Sequence, residues 1–338
     1  LTDGVQGFIM VGVGVLVAVL FCLGYGIEGG FDGMISALGS QDENLVGWLN
    51  VTDVLYHSWW AVFAVFLAHV PLGMLPHIGN KLWALKEPTQ RMQFIRLAFV
   101  FALILAMLGF GGIMARVILG EGIDSNQALA LLFIDLFPSW FAALLGVGIL
   151  AAVMSTADGL VVSSSQIVAN DLYRLSFVPR YRKDLSEEEV EKRSLNISRI
   201  STVVIMILCT LLAWQTLDMN VTILVWIGVG CMMAAFAGPL ILGSVWSGVT
   251  KAGAFAGLLT GGGVYIITYL GVINPEWFGP GSLQDIALWL QRESPNPYSC
   301  AAMGEIASIA VTVVVSKLTV PYPKEHIDAL FGKTVPTD

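Results

Sequence analysis

Apolar runs of about twenty residues recur along the whole of this sequence, and no other feature restricts its folding so severely. A helix rising 1.5 Å per residue needs roughly 20 residues to cross a hydrocarbon layer about 30 Å thick. Runs long and apolar enough occupy 5–24, 52–78, 94–117, 138–172, 197–214, 221–243, 252–271 and 300–318. Eight membrane-crossing helices are therefore predicted, since a helix satisfies its own backbone donors and acceptors where water cannot reach them. The runs are too long and too uniformly apolar for the strands of an outer-membrane barrel. Composition agrees: 56% of the 338 residues are hydrophobic and 12% charged, whereas a water-soluble domain carries about a quarter charged residues. The expected class is an all-α polytopic membrane protein with the lipid bilayer as its solvent. The fourth run is too long for one upright span. Phe137-Pro138-Ser139 interrupts it, so its first part is expected to be a surface or re-entrant piece.

The formal net charge of -8 says less than where the charges fall. Glu28, Asp32, Asp42 and Glu43 follow the first run without a basic residue, and Lys81, Lys86, Arg91 and Arg96 follow the second. Glu121, Asp124 and Asp135 follow the third, and Arg174, Arg180, Arg182, Lys183, Lys192, Arg193 and Arg199 crowd the fourth link. Carried to the end, this alternation leaves every lysine and arginine except Arg116 and Arg292 on one side. Basic residues mark cytoplasmic links. The chain is therefore expected to be multi-pass in the cell membrane, with both its ends cytoplasmic. The segment 184–193 reads as a short solvent-facing cytoplasmic helix. The chain opens on Leu1, and no basic n-region precedes the first run, so no signal peptide is visible. The sequence is expected to begin within a longer protein.

Cys22, Cys209 and Cys231 lie in apolar runs, Cys300 opens the last, and none has zinc-ligand spacing. His57, His69, His77 and His326 are scattered. Without a nucleophile–base or metal constellation, an enzyme is not expected, nor a cofactor, nor a nucleic-acid partner. Polar clusters and helix breakers at membrane depth are the places to look for transport chemistry.

The strongest cluster is Ala151-Ala152-Val153-Met154-Ser155-Thr156-Ala157-Asp158-Gly159, continuing to Ser163-Ser164-Ser165 and Asn170-Asp171-Leu172-Tyr173. Ala152, Ser155 and Thr156 stand at i, i+3 and i+4, so one carbonyl and two hydroxyls share a helical face. Neutral oxygen ligands of this kind can replace the water around a small monovalent cation. The same residues also suit hydroxyls bonded back to the i−4 carbonyl, or close helix packing. Asp158 follows in the same run, where a carboxylate needs a proton, a hydrogen bond, an ion or a wet cavity. The second cluster runs from His69 to Asn80. Pro71 and Pro76 remove backbone donors there, and Gly73 and Gly79 loosen the helix. An unwound stretch facing a solute and a plain proline kink both fit. The third is Thr2-Asp3-Gly4-Val5-Gln6-Gly7, where Asp3 and Gln6 share a face, or simply open a helix. Gly228 to Ala235 carries small residues suited to packing or to a moving interface.

Taken together these segments resemble the sodium/solute symporter family, which includes bacterial transporters of proline, pantothenate, monocarboxylates and sugars. The resemblance rests on the Thr-Asp-x-x-Gln-Gly start at Thr2, the Gly-x-x-Pro-His pattern ending at His77, and Ala151-Ala152-Val153-Met154-Ser155-Thr156 with Ser163 to Ser165 and Asp171-Leu172-Tyr173. Gly238-Pro239-Leu240 and Gly253-Ala254 with Gly257 complete it. It covers essentially the entire chain in order.

The resemblance implies a partial inverted-repeat core of five plus five helices with two additional C-terminal helices. Residues 1–24 would be the last helix of the first repeat, 52–243 the second repeat, 252–318 two trailing helices and 319–338 a cytoplasmic tail. It implies sodium ligation by Ala152, Ser155 and Thr156, completed by carbonyls of an unwound first core helix that precedes this sequence. It assigns Asp3 and Gln6 to a further ion position or the inward ion path, and Leu72, Gly73, Met74, Pro76 and His77 to the substrate-side break. The aromatic residues of the proline transporters at this break are replaced by Ala68 and Leu72. That weakens proline as the solute and leaves pantothenate, a monocarboxylate, another amino acid or a similar small organic solute. The expected function is sodium-coupled symport of that solute into the cell by alternating access. A proton-coupled transporter of the same fold, using Asp3 or Asp158, and a transporter-like sensory module are the alternatives.

Overall fold

The computed structural model describes residues 2–51, 53–75, 77–79, 84–85 and 87–331, with the backbone alone for Thr2, Asp3 and Pro88. Among the described residues all regular structure is helical and no strand occurs. Seven helices are long and apolar enough to cross a membrane: Gly4–Leu23, Thr89–Leu119, Ser139–Tyr181, Glu187–Gln215, Val221–Val245, Lys251–Tyr269 and Pro297–Leu318.

The eighth expected span, 52–78, is not one helix. Ser58 accepts the Ala61 N–H at 3.1 Å and starts an α-helix that covers only Trp59–Ala68. The chain then turns into a 3-10 segment, Leu72–Met74. Pro71 cannot donate to the Leu67 carbonyl four residues back, and that carbonyl instead accepts the Val70 N–H at 2.9 Å in a tightened turn.

The fourth run also departs from expectation. Ser139–Gln166 continues without interruption through π-helical Ile167–Phe177 and Val178–Tyr181, so no re-entrant piece follows Pro138. Pro138 is extended (φ -55, ψ 145) and sits just ahead of the first turn, where a missing N–H costs nothing. The separate short helix lies upstream, at Ala128–Leu136. The expected surface helix at 184–193 is likewise the opening of Glu187–Gln215 rather than an element of its own. Ser186 accepts the Glu189 N–H at 3.3 Å while the Glu189 carboxylate accepts the Ser186 N–H at 3.3 Å, a reciprocal cap. Glu187, Glu188 and Glu189 favour that end further by facing the positive pole of the helix.

The chain divides into two compact units, 1–46 with 76–220 and 47–75 with 221–338. In the first, Thr2–Leu23 packs along Ser139–Gln166 through Val13, Val17, Phe133, Ala142 and Leu145. A second cluster joins Leu20 to Met34, Leu38, Met114, Ala115 and Leu132.

In the second unit, Lys251–Tyr269 and Pro297–Leu318 meet along two matched ladders. Gly253, Gly257 and Gly261 recur every fourth residue on one helix; Ser308, Thr312 and Ser316 do so on the other. A Cβ on Gly253 would strike the Ser316 hydroxyl, one on Gly257 the Thr312 hydroxyl, and one on Gly261 the Ala234 carbonyl. Missing side chains thus bring the backbones close enough for hydroxyls to bridge between helices. Ser308 uses that reach. Pro239, in the π-helical segment Ala237–Leu242, leaves the Ala235 carbonyl without its i+4 donor. The Ser308 hydroxyl donates to this carbonyl at 3.3 Å and accepts the Gly238 N–H at 3.0 Å.

One end of this unit is fastened by a buried pair. His57 Nε2 lies 2.9 Å from Glu293 Oε1, with the two residues 7% and 1% exposed. His57 Nδ1 donates to the Val54 carbonyl at 3.1 Å. Asn296 caps Pro297–Leu318 through the N–H groups of Tyr298 (3.0 Å) and Ser299 (3.2 Å), and Trp60 Nε1 donates to Ser299 Oγ at 2.6 Å.

Two outcomes are expected in unfolding measurements on the lipid-reconstituted protein. Gly261→Ala should cost about 1–3 kcal/mol by overpacking, while Gly263→Ala, whose Cβ would meet nothing within 4 Å, should be neutral or stabilise by up to about 1 kcal/mol. His57→Ala should cost roughly 3–5 kcal/mol because it strands the Glu293 carboxyl, and the double change His57→Leu with Glu293→Leu should recover much of that loss. Equal losses in the single and double variants would count against the pairing.

Candidate functional site

Ala152, Ser155 and Thr156 lie on Ser139–Gln166, about half to two-thirds of the way along it. Ala152 and Ser155 are half-buried and Thr156 is exposed. The Thr156 hydroxyl donates to the Ala152 carbonyl at 3.3 Å. This back-bond spends the hydroxyl's proton and leaves the Thr156 oxygen's own lone pairs free, while the Ala152 carbonyl also takes the helical N–H four residues on. Two oxygens that far apart can share one cation lying about 2.4 Å from each, within the range of calcium–oxygen ligand distances. The bond therefore holds two of the three candidate ligands at a usable spacing.

Gln6 is the second element of this face. Its Oε1 is buried without a hydrogen-bond partner among the described residues. Thr2–Leu23 runs antiparallel to Ser139–Gln166: a Cβ on Gly148 would lie 2.9 Å from Val13 Cγ2 and 3.1 Å from Ile9 Cγ2. Continued by one turn, that register carries Gln6 alongside Ala152. The side chain of Asp3 lies outside the described residues.

The segment 69–79 is split between the two compact units. On the first, a Cβ built on Gly159 would stand 4.0 Å from His77 Cβ, so His77 is one turn beyond Ser155. On the second, Leu72 packs against the cluster of Ala68, Leu75, Trp226, Met233 and Tyr265, which commits part of its surface to the core. Gly73 is exposed and Met74 half-buried, while Pro76 lies outside the described residues. Asp158 is exposed on the sodium-candidate helix, beyond the face of Ala152 and Ser155.

Sequence reasoning missed the aromatic platform at the start of the break. His69 Nδ1 donates to the Val65 carbonyl at 2.5 Å. Its ring lies 4.5 Å from that of Trp226 and 5.9 Å from that of Tyr298, and those two are 4.3 Å apart. Three separate segments supply these rings, so no local pattern announces them. The match between the ladders at Gly253 and Ser308 could have been read, because both carry the same four-residue period.

A cysteine pair tests the antiparallel register. In a background without native cysteines, Val13→Cys with Gly148→Cys should oxidise readily to a disulfide, since a Cβ at Gly148 stands 2.9 Å from Val13 Cγ2, one bond from the Val13 β-carbon. Gly12→Cys with Gly148→Cys should not, as Gly12 faces open space. Mass spectrometry of non-reduced digests distinguishes the two.

A sequence model described as the sodium:solute symporter family matches residues 1–261. Among curated relatives, the chain is 26% identical over 279 residues to a sodium/pantothenate symporter of Haemophilus influenzae, covering 80% of this chain and 54% of that protein. It is 25% identical over 286 residues to a sodium/pantothenate symporter of Escherichia coli, covering 82% and 55%. To a sodium/proline symporter of Staphylococcus aureus it is 25% identical over 321 residues, covering 94% and 58%. The chain thus spans a little over half the length of these relatives.

Proposed function

This chain belongs to the sodium:solute symporter family, a family of transporters rather than enzymes, and from that premise we propose that it serves sodium-driven uptake of a small organic solute across the cell membrane. One observation carries the reading: the Ala152 carbonyl and the Thr156 hydroxyl, 3.3 Å apart, share a helical face with Ser155. Sodium is bound there, and Asp3 and Gln6 serve a further ion position or the inward path. The unpartnered Gln6 oxygen favours this role, because a buried amide oxygen without a donor is costly unless a ligand supplies the missing contact.

Leu72, Gly73, Met74, Pro76 and His77 line the solute-side break. Pantothenate, a monocarboxylate or an amino acid is the solute. The named relatives carry pantothenate or proline, and Ala68 and Leu72 leave this break without aromatic side chains at those positions. The core is an inverted repeat with both ends of this chain in the cytoplasm, in keeping with the distribution of lysine and arginine.

Coupling follows if sodium and solute both favour one arrangement of the helices; tight binding by either is not enough. Each sodium moved down the membrane potential contributes about 2.3 kcal/mol per 100 mV. A broken helix at the solute position suits this cycle. Its backbone groups are available to a solute on one side and are satisfied by tightened turns on the other.

Uptake of labelled pantothenate, proline and small monocarboxylates into vesicles, with and without a sodium gradient, is the direct measurement. Ser155→Ala and Thr156→Val should each raise the sodium concentration for half-maximal uptake by about tenfold, equivalent to about 1.4 kcal/mol. Thr156→Ser, which keeps the oxygen, should stay near the parent. Uptake that ignores the sodium gradient, or an unchanged sodium dependence in both Ser155→Ala and Thr156→Val, would refute the assignment.

A further inference from the structure

Glu305 lies on Pro297–Leu318, about 12 Å along the axis from Pro297 and about 20 Å from Leu318. It is therefore deep within a span, and it is 1% exposed. At 100° per residue, Ala301, Glu305, Ser308, Thr312 and Ser316 fall in a sector about 80° wide. That is the face buried against Lys251–Tyr269 and Val221–Phe236. One residue before it, a Cβ on Gly304 would stand 2.6 Å from Ala234 Cβ and 2.7 Å from the Gly261 carbonyl, so the three helices are tightly apposed at this level.

Of the polar residues on this face, two have partners on other segments, whereas the Thr312 hydroxyl, two turns beyond Glu305, is buried without a hydrogen-bond partner among the described residues. Ser308 bridges Gly238 and Ala235, and Ser316 accepts the Thr250 N–H at 3.1 Å. Glu305 is the ionisable member of this face: its Oε1 is buried without a hydrogen-bond partner, and no ion pair reaches it among the described residues. On its own helix Ala301, one turn before, brings no side-chain oxygen, and the Ser308 hydroxyl, one turn after, is committed to Gly238 and Ala235. No group of three or more histidine, cysteine or acidic side chains able to hold a metal occurs among the described residues.

The titratable groups on the facing helices are Tyr265 and Tyr269, Cys231 and, at one end, Lys251; the Tyr265 hydroxyl is committed to the Trp226 carbonyl at 3.2 Å. The Trp59–Ala68 helix and the Ala237–Leu242 segment carry none. A bare carboxylate enclosed in this way has lost its water without gaining a counter-charge. A bound proton or a metal cation would remove that cost, and among the described residues no group of acidic, histidine or cysteine side chains gathers to hold a metal.

We propose that Glu305 is a proton-binding site, separate from the sodium-candidate face and enclosed by the three helices of the second unit. The bound proton makes the side chain a neutral acid that packs with its glycine and alanine neighbours. The packed arrangement then holds one more proton than an arrangement in which water reaches Glu305, so closure of these helices is linked to proton uptake. The proposal does not rest on sodium ligation at Ser155 and Thr156.

Infrared spectroscopy of the purified protein in lipid nanodiscs at neutral pH tests it. The wild type should show the carbonyl stretch of a buried, weakly hydrogen-bonded carboxylic acid, and labelling with carboxyl-13C glutamate should shift it. Glu305→Gln, a neutral mimic of the protonated acid, and Glu305→Leu, an apolar one, should both lose that band while their carboxylate bands stay unchanged. A wild-type spectrum without the acid band would overturn the proposal. So would a band that persists in a Glu305 variant, or one that disappears together with carboxylate intensity.

Discussion

Backbone amides and carbonyls inside hydrocarbon have no water to turn to, so every interruption of a helix in this protein must find its replacement partners within the fold. Two interruptions show how. At Pro71 the orphaned Leu67 carbonyl takes the Val70 N–H, a repair made within the same strand of chain. At Pro239 the repair comes from another helix: Ser308 supplies the donor that Ala235 lost and the acceptor that Gly238 needs. The second solution depends on distance. Ser308 reaches across because Gly238 lets its own segment approach Pro297–Leu318, a Cβ there falling 2.5 Å from the Ser308 carbonyl, while Gly257 and Gly261 let Lys251–Tyr269 close in on the same helix. The π-helical break, the glycine ladder and the hydroxyl ladder are therefore one construction, and removing any part exposes the others.

Most of the helical architecture was legible in hydropathy alone, because a run of about twenty apolar residues has few other uses. Helix breaks were legible less fully. Proline and glycine marked the segment from Pro71 to Gly79, yet they could not say that the helix before it would last only from Trp59 to Ala68. Pro138 misled for a physical reason, since a proline that starts a helix and one that interrupts it read alike in sequence. The charges of 184–193 misled for another: charged residues solvate a helix without ending it, so the same rod leaves the water and enters the apolar run. Pairings such as His57 with Glu293 join residues hundreds of positions apart, and local pattern carries no trace of them.

The candidate ion face shows how two readings of one pattern can both be right. A threonine bonded to its i−4 carbonyl is a common way to quiet a hydroxyl in an apolar helix. In doing so, Thr156 fixes its oxygen beside the Ala152 carbonyl while keeping its own lone pairs. A hydroxyl that turned freely would have to be ordered when a cation arrived, and the ordering entropy would weaken binding. Pre-set oxygens avoid that loss. Spacing singled out the three residues; it could not separate a satisfied hydroxyl from a waiting ligand, because one geometry suits either.

Polar groups in this fold are handled according to how much charge they carry. Hydroxyls bond back to their own helix, as Thr202 does to the Ser198 carbonyl and Thr210 to the Met206 carbonyl, which needs no partner and fixes no tertiary arrangement. Hydroxyls on the ladder at Ser308 and Ser316 reach another helix and so tie two spans together. The imidazole and carboxyl of His57 and Glu293 need each other, and they meet near the start of Trp59–Ala68 and at the end of Ser282–Glu293. That location limits the cost of enclosing them, because the penalty for burying polar and charged groups falls toward the membrane surface. By the same scale a lone carboxyl midway along a span is the hardest group to accommodate, and only neutralisation removes most of its cost. The packing around Glu305 is consistent with that: small apolar neighbours crowd a side chain that an ion would force apart, and the tight glycine contacts that support the break at Pro239 extend to the turn that carries it.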